Sequence, residues 1–164
     1  MSLREYIKEA QLGKTSAGVL MHREKNGERQ FFIVHPGGPY FKSKQNGYWG
    51  VPKGLLEAGE NVEKAAKREF SEETGMKISE ELIDMGTATL NSGKTLHCFL
   101  TKGDGTFKGS NMFTIEWPPK SGVKKEFPEI DKGEWHNLED CKKKMGPNQF
   151  IFIERANEIL DTSE

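Results

Sequence analysis

The chain has 164 residues, a formal net charge of −1, 30% charged residues and 34% hydrophobic residues. This length suits one domain, residues 1–164, with a sizeable core, and the near-neutral charge offers no basic field for long nucleic acid. There is no apolar run long enough to span a bilayer, and Cys98 and Cys141 without a CxxC pair fit reduced thiols of a cytoplasmic protein better than a disulfide or zinc scaffold.

The elements are expected in the following order. Residues 1–10, with Arg4, Glu5, Lys8 and Glu9, lack the apolar core of a signal peptide. Residues 16–22 and 30–35 read as strands joined by a turn at Asn26-Gly27. Residues 36–47 are loop, and 48–51 form a short strand ending at Pro52. A helix over about 62–74 follows, capped by Asn61 and ended by Gly75, with Val62, Ala65, Ala66 and Phe70 facing the core. Residues 82–90 and 95–101 pair as a hairpin around Asn91-Ser92-Gly93. Residues 113–117 are a strand stopped by Pro118-Pro119, 134–138 another, and 149–160 run in helical register. The chain is therefore α/β, without internal repeats.

Three carboxylates on the 62–74 helix carry the chemistry. Glu69, Glu72 and Glu73 stand at i, i+3 and i+4, so they share one face with β-carbons about 5–6 Å apart. Like charges at that spacing repel. A hard divalent cation, Mg²⁺ or Mn²⁺, would turn that repulsion into binding energy. A solvated acidic face is the plainer reading of an arbitrary Glu-rich helix, but the flanking residues argue against it. Arg68 immediately precedes the first acid, where it can pair with carboxylates such as Glu60 or Glu72 and orient them.

The residues from Gly54 to Met76 resemble the signature box of the Nudix family. Gly54, five residues, Glu60, seven residues, then Arg68-Glu69-Phe70, Glu72-Glu73 and Gly75-Met76 agree with it at every specified position. The resemblance implies the Nudix fold, a mixed β-sheet sandwiched between α-helices. It also implies Mg²⁺-dependent hydrolysis of a nucleoside diphosphate linked to another group, with water attacking phosphorus. Glu72 and Glu73 then correspond to metal ligands, Glu69 to ligand or base, and the Lys53 backbone carbonyl to a further ligand. Many members supply another carboxylate from a later loop upstream of a Trp-containing strand. Glu129, ahead of Trp135, is the first choice here and Glu126 the alternative, against the reading that both are solvated loop acids.

The substrate candidates are Lys53 and Gly54 at the start of the box, and Tyr48 and Trp49 just before it. Either aromatic suits base stacking or a strand core equally well in kind. His35 is a proton donor, a rim residue or a structural group. Pro36-Gly37-Gly38-Pro39 is a turn rather than a phosphate loop, since proline has no N–H to donate. Residues 117–122 form a stiff loop of open purpose. Residues 120–144 hold seven lysines and six acids, a mixed solvated surface rather than a phosphate patch.

Residues 49–54, WGVPKG, resemble the WxxPKG approach of diadenosine tetraphosphate hydrolases, diphosphoinositol polyphosphate phosphatases and RNA decapping enzymes. The tyrosine that the first group carries beyond the box has no counterpart, because none follows Tyr48. The proline that ADP-ribose pyrophosphatases carry beyond the box is also absent. With HPGGPYF and EWPP…FPE, the whole chain is similar to a subgroup of small nucleotide pyrophosphohydrolases. A small-molecule nucleotide substrate and no membrane partner are expected. A homodimer stays open, as does a non-catalytic nucleotide sensor.

Overall fold

The structure, a computed structural model, describes residues 15–163. The expectation for residues 1–10 lies outside them. Strand β1 (Thr15–Lys25) is the axis of the sheet. On one edge it runs parallel to β5 (Thr95–Lys102), from Thr15 opposite Thr95 to His22 opposite Lys102. On the other edge it pairs first with β3 (Lys53–Leu55), through Gly18 and Lys53, and then with β2 (Glu28–Pro36), through Met21 and Phe32. Strand β4 (Ile83–Thr89) continues the sheet beyond β5, and β8 (Ile130–His136) continues it beyond β2. A separate antiparallel ribbon comprises β6 (Met112–Glu116) and β7 (Lys124–Pro128).

Alternation along these strands builds two cores. Ala17, Val19 and Met21 of β1, with Phe32 and Val34 of β2, face helix α1 (Val62–Thr74) and its Ala65, Ala66 and Phe70. Leu20, Phe31, Ile33, Leu96 and Leu100 face the opposite side. There they meet Cys141 of α2 (Leu138–Lys144) and Phe152, Ile153 and Ala156 of α3 (Pro147–Thr162). A strand with period two sends its residues to both faces, so one buried on both sides reads as a continuous apolar run. The runs VLM in β1 and FFIV in β2 are of this kind, and the sandwich of helices about a mixed sheet is as expected.

Helix α1 begins and ends where its local chemistry predicts. The Asn61 side chain accepts from the Glu63 and Lys64 amides, and Gly75, at φ 71°, donates its N–H to the Ser71 carbonyl. The turn at Asn26-Gly27 and the β4–β5 pair also agree with expectation.

Three segments differ. Residues 48–51 form only isolated bridges, Val34 with Gly50 and Trp49 with Met145, and the strand proper lies beyond Pro52 as β3. The strand expected at 134–138 starts at Ile130 and stops at His136, because the Asn137 side chain accepts from the Asp140 amide and starts α2. Strand β7, KKEFP, has no apolar alternation to announce it. It forms because it returns from Pro118-Pro119 to pair with β6, which makes residues 117–122 the turn of a ribbon. Among the described residues no helix is long and apolar enough to cross a membrane.

Candidate functional site

The cleft originates in the split of the β1 edge. Strand β2 leaves β1 beyond Met21, β3 takes its place, and the gap is lined by Val34, Pro36, Gly50, Val51 and Lys53. Helix α1 contributes Glu73 and the junction of β7 and β8 contributes Glu129, closing a cavity of about 260 Å³.

Glu129 reaches this cleft through a relay of backbone bonds. The C-terminal turn of α1 offers the carbonyls of Glu72 and Thr74, which accept from the amides of Asn111 and Lys108 at 2.9 and 2.8 Å. The Asn111 carbonyl then accepts from the Glu129 amide at 2.9 Å, and the Glu129 carbonyl from the Gly37 amide at 2.8 Å. The loop carboxylate is thus tied to the helix that bears the other acids.

Burial dominates the electrostatics. Glu73 is only 8% exposed, and burial pushes its carboxyl up to about 8 despite the opposing charge of Lys53. Burial likewise raises Glu69, against the pull of Arg68. Glu129, exposed at the cleft mouth, is raised by partial desolvation and by the negative charge of Glu72. Lys53 moves the other way: burial lowers its ammonium, while Glu73 partly restores it.

Arg68 is the organiser of the acids. Its Nε donates to Glu60 Oε2 at 2.7 Å, and its terminal nitrogens donate to Glu60 Oε1, Glu69 Oε1, Glu72 Oε2 and the Leu55 carbonyl. The bonds to Arg68 hold the Glu60 carboxyl at about 2, and the same contacts raise the guanidinium above its usual range.

Gly54 is fitted to Glu69. A Cβ at this position would fall onto the Glu69 carboxylate, so Gly54→Ala must displace that acid. We expect Gly54→Ala to lower kcat at least tenfold with the fold retained. Turnover of the variant and its far-UV circular dichroism check this, and unimpaired turnover would mean that the Glu69 position is unimportant.

The carboxylates of Glu69, Glu72, Glu73 and Glu129 are hard oxygen donors of the kind Mg²⁺ takes, and the cradle kept open at Gly54 belongs to one of them. The donor chemistry therefore fits the divalent cation that the resemblance implies. Among the described residues no three such groups form a ready-made cage; the Glu69 and Glu72 oxygens here engage Arg68.

The remaining candidates separate clearly. Tyr48 is 44% exposed at the cleft rim, with the Lys44 ammonium 5.3 Å from its ring. Trp49, expected as a stacking platform or a strand core, is a core residue: it is 2% exposed and packed against His35 and His136, and among the described residues its Nε1 has no hydrogen-bond partner. Glu126 lies exposed on β7 opposite Thr114, outside the cleft lining. His35 is fully buried, its Nδ1 bonded to Asp131 at 2.8 Å and its Nε2 to the Lys44 carbonyl, which makes it a clamp on the 36–47 loop.

Gln149 was not anticipated. Its Oε1 accepts from the Val51 amide at 2.7 Å, and it walls both the cleft and a neighbouring cavity of about 300 Å³ that also takes in Asn91 and Asn148. Nothing around residue 149 marks it in sequence except its place in the first turn of the last helix.

A family model described as NUDIX domain matches residues 13–156. YvcI of Bacillus subtilis strain 168, an uncharacterised Nudix hydrolase, is 30% identical over 99 residues, which is 60% of this chain and 56% of that protein. The chain spans between 8% and 56% of the length of the curated relatives it matches. The NUDIX domain of Shewanella oneidensis NrtR, complexed with ADP ribose, superposes with a TM-score of 0.66 at 16% identity, covering 98% of this chain and 99% of that one. A Caenorhabditis elegans Ap4A hydrolase binary complex gives 0.63 at 21% identity, covering 90% and 98%. At such identities the likeness is one of fold.

Proposed function

The chain belongs to the NUDIX domain family, and on that premise we propose that it hydrolyses a pyrophosphate bond in a nucleotide or dinucleoside polyphosphate, with Mg²⁺ or Mn²⁺ as cofactor. The observation that carries this reading is the meeting of Glu73, Lys53 and Glu129, from three separate elements, in one cleft. Charge is the physical problem of the reaction, since the substrate is polyanionic and the transition state spreads negative charge over the phosphoryl oxygens. Glu69, Glu72 and Glu73, with the Lys53 carbonyl, would hold the cation, which when bound neutralises phosphate charge and acidifies water. Arg68 keeps Glu69 and Glu72 oriented. The Lys53 ammonium, on the cleft lining, would face a phosphate oxygen, and Gly54 leaves room for the Glu69 carboxylate. Tyr48, with Asn91, Asn148 and Gln149 beside it, presents an aromatic face and amide groups to a base.

Glu129 is the general base in this reading. Its raised carboxyl brings it nearer to neutral pH, where a base is most effective. Because it must be deprotonated to act, the rate rises with pH through its folded pKa. The kcat profile therefore has an acid limb. Glu129→Gln is expected to lower kcat by about 10²–10⁴ and to abolish that limb. A variant with the wild-type profile would remove Glu129 from the chemistry.

The reading as a whole is tested by product release across nucleoside triphosphates, dinucleoside polyphosphates, ADP-ribose and NADH, with Mg²⁺ or with chelator. Metal-dependent release of a nucleotide product is expected; tight binding without turnover would favour a sensor. The buried, unpaired thiols Cys98 and Cys141 support a reducing, cytoplasmic setting.

A further inference from the structure

Apart from the backbone bonds that hold Glu129, the loop after β2 and the β6–β7 ribbon have no role in the hydrolysis proposed above, yet they are fitted to each other. A Cβ on Gly37 would strike the Pro128 carbonyl oxygen, and one on Gly38 would stand 2.8 Å from the Phe113 ring. Two glycines thus let the loop lie against the ribbon. Tyr40 meets Trp117 edge-on, with ring centroids 5.2 Å apart. Between loop and ribbon lies a cavity of about 570 Å³ walled by Pro39, Trp117, Phe127 and Pro128, with Lys42 and Lys125 on its lining. Asp131 also borders it, but its Oδ1 is engaged by His35 Nδ1 at 2.8 Å.

This cavity adjoins the cleft. Pro36 and Glu129 line the cleft, whereas Gly38 and Pro128 line the cavity, and the Gly37–Glu129 hydrogen bond forms the wall between them. Consecutive α-carbons are about 3.8 Å apart, so the two spaces lie within reach of one extended ligand. Aromatic walls accept a flat base of any identity by stacking, and two lysines beside them accept a phosphate.

We propose that this cavity binds a second nucleoside-phosphate unit of the substrate, its base against Trp117 and Phe127 and its phosphate against Lys42 and Lys125. The preferred substrates are then those with an aromatic base at each end of the phosphate chain. The substrate consequence rests on the hydrolase reading; the binding site itself does not.

AMP is the probe for the site, titrated into ¹⁵N-labelled protein without divalent metal. The expected result is saturable movement of the Gly38, Lys125 and Phe127 amide signals. Affinity falls at least tenfold in Trp117→Ala and is largely kept in Trp117→Phe. Lys125→Gln, at an exposed strand position, weakens AMP but not adenosine. In kinetics, Trp117→Ala lowers the ratio of kcat/KM for diadenosine tetraphosphate to that for ATP at least tenfold, through KM. Shifts confined to Tyr48 and Asn148, AMP affinity equal in Trp117→Ala and wild type, or an unchanged kinetic ratio would each overturn the proposal. If no nucleotide is turned over by either protein, the hydrolase reading fails, and the AMP titration alone decides the cavity.

Discussion

Glu73→Gln is expected to reduce kcat by several orders of magnitude while making the protein, assayed in chelator, more stable at alkaline pH. The two effects share one cause. Burial raises the Glu73 carboxyl from its ordinary 4.5 to about 8, so the folded chain retains a proton that the unfolded chain releases. For a carboxyl raised in this way, the stabilisation is complete below about pH 4.5 and is lost as pH rises through about 8. Glutamine is neutral at every pH and escapes that loss. Thermal unfolding in chelator should therefore show variant and wild type alike near pH 5, with the variant melting several degrees higher near pH 9. In steady-state assays at saturating Mg²⁺ the same variant loses a carboxylate proposed to hold the cation, and its turnover collapses. Near-normal turnover would remove Glu73 from the proposed metal site. A variant less stable than wild type at pH 9 would contradict the burial-driven shift.

Arg68→Ala is the second large effect, and it falls on stability and activity together. The guanidinium donates to Glu60, Glu69 and Glu72 and to the Leu55 carbonyl, with Glu60 and Glu69 only 15% and 12% exposed at the side chain. Removing it leaves Glu60, Glu69 and Glu72 without the guanidinium that bonds all three. A fully buried pair broken in this way costs about 3–5 kcal/mol. Because Arg68 is itself 26% exposed, we expect about 2 kcal/mol in urea unfolding at pH 7. The pH dependence identifies the partner. The bonds from Arg68 depress the Glu60 carboxyl to about 2; that stabilisation is present above its ordinary 4.5 and is lost as pH falls through about 2. The gap between wild type and variant should narrow from pH 5 towards pH 2, and a gap independent of pH would assign the loss to packing instead. Turnover should fall by at least tenfold, with Arg68→Lys restoring little, since an ammonium cannot reproduce the planar fork.

The box was legible because its chemistry is local. Asn61 caps, Gly75 adopts positive φ and the three acids share a face through rules that act within a few residues. The apolar runs of β1 and β2 were read as strands for the same reason. The pair of bridges at residues 49–50, the strand β7 and the helix start at Leu138 were less accessible, since each depends on a partner remote in sequence or on a single capping side chain. Trp49 shows the limit well. Its neighbours suit an exposed stacking platform or a core strand, and only packing against His35 and His136 assigns it to the core.

The amino-acid sequence by itself determined the helix, its caps and the order of its acids, because helical spacing turns positions three and four apart into neighbours. Tertiary structure alone decided which remote groups join them. The splitting of β2 from β1, the relay that carries Glu129 to the cleft and the arrival of Gln149 from the last helix are outcomes of long-range strand pairing and packing. The raised carboxyl of Glu73 belongs to the same level, since burial, its largest cause, exists only once the sheet and helix α1 have closed around it.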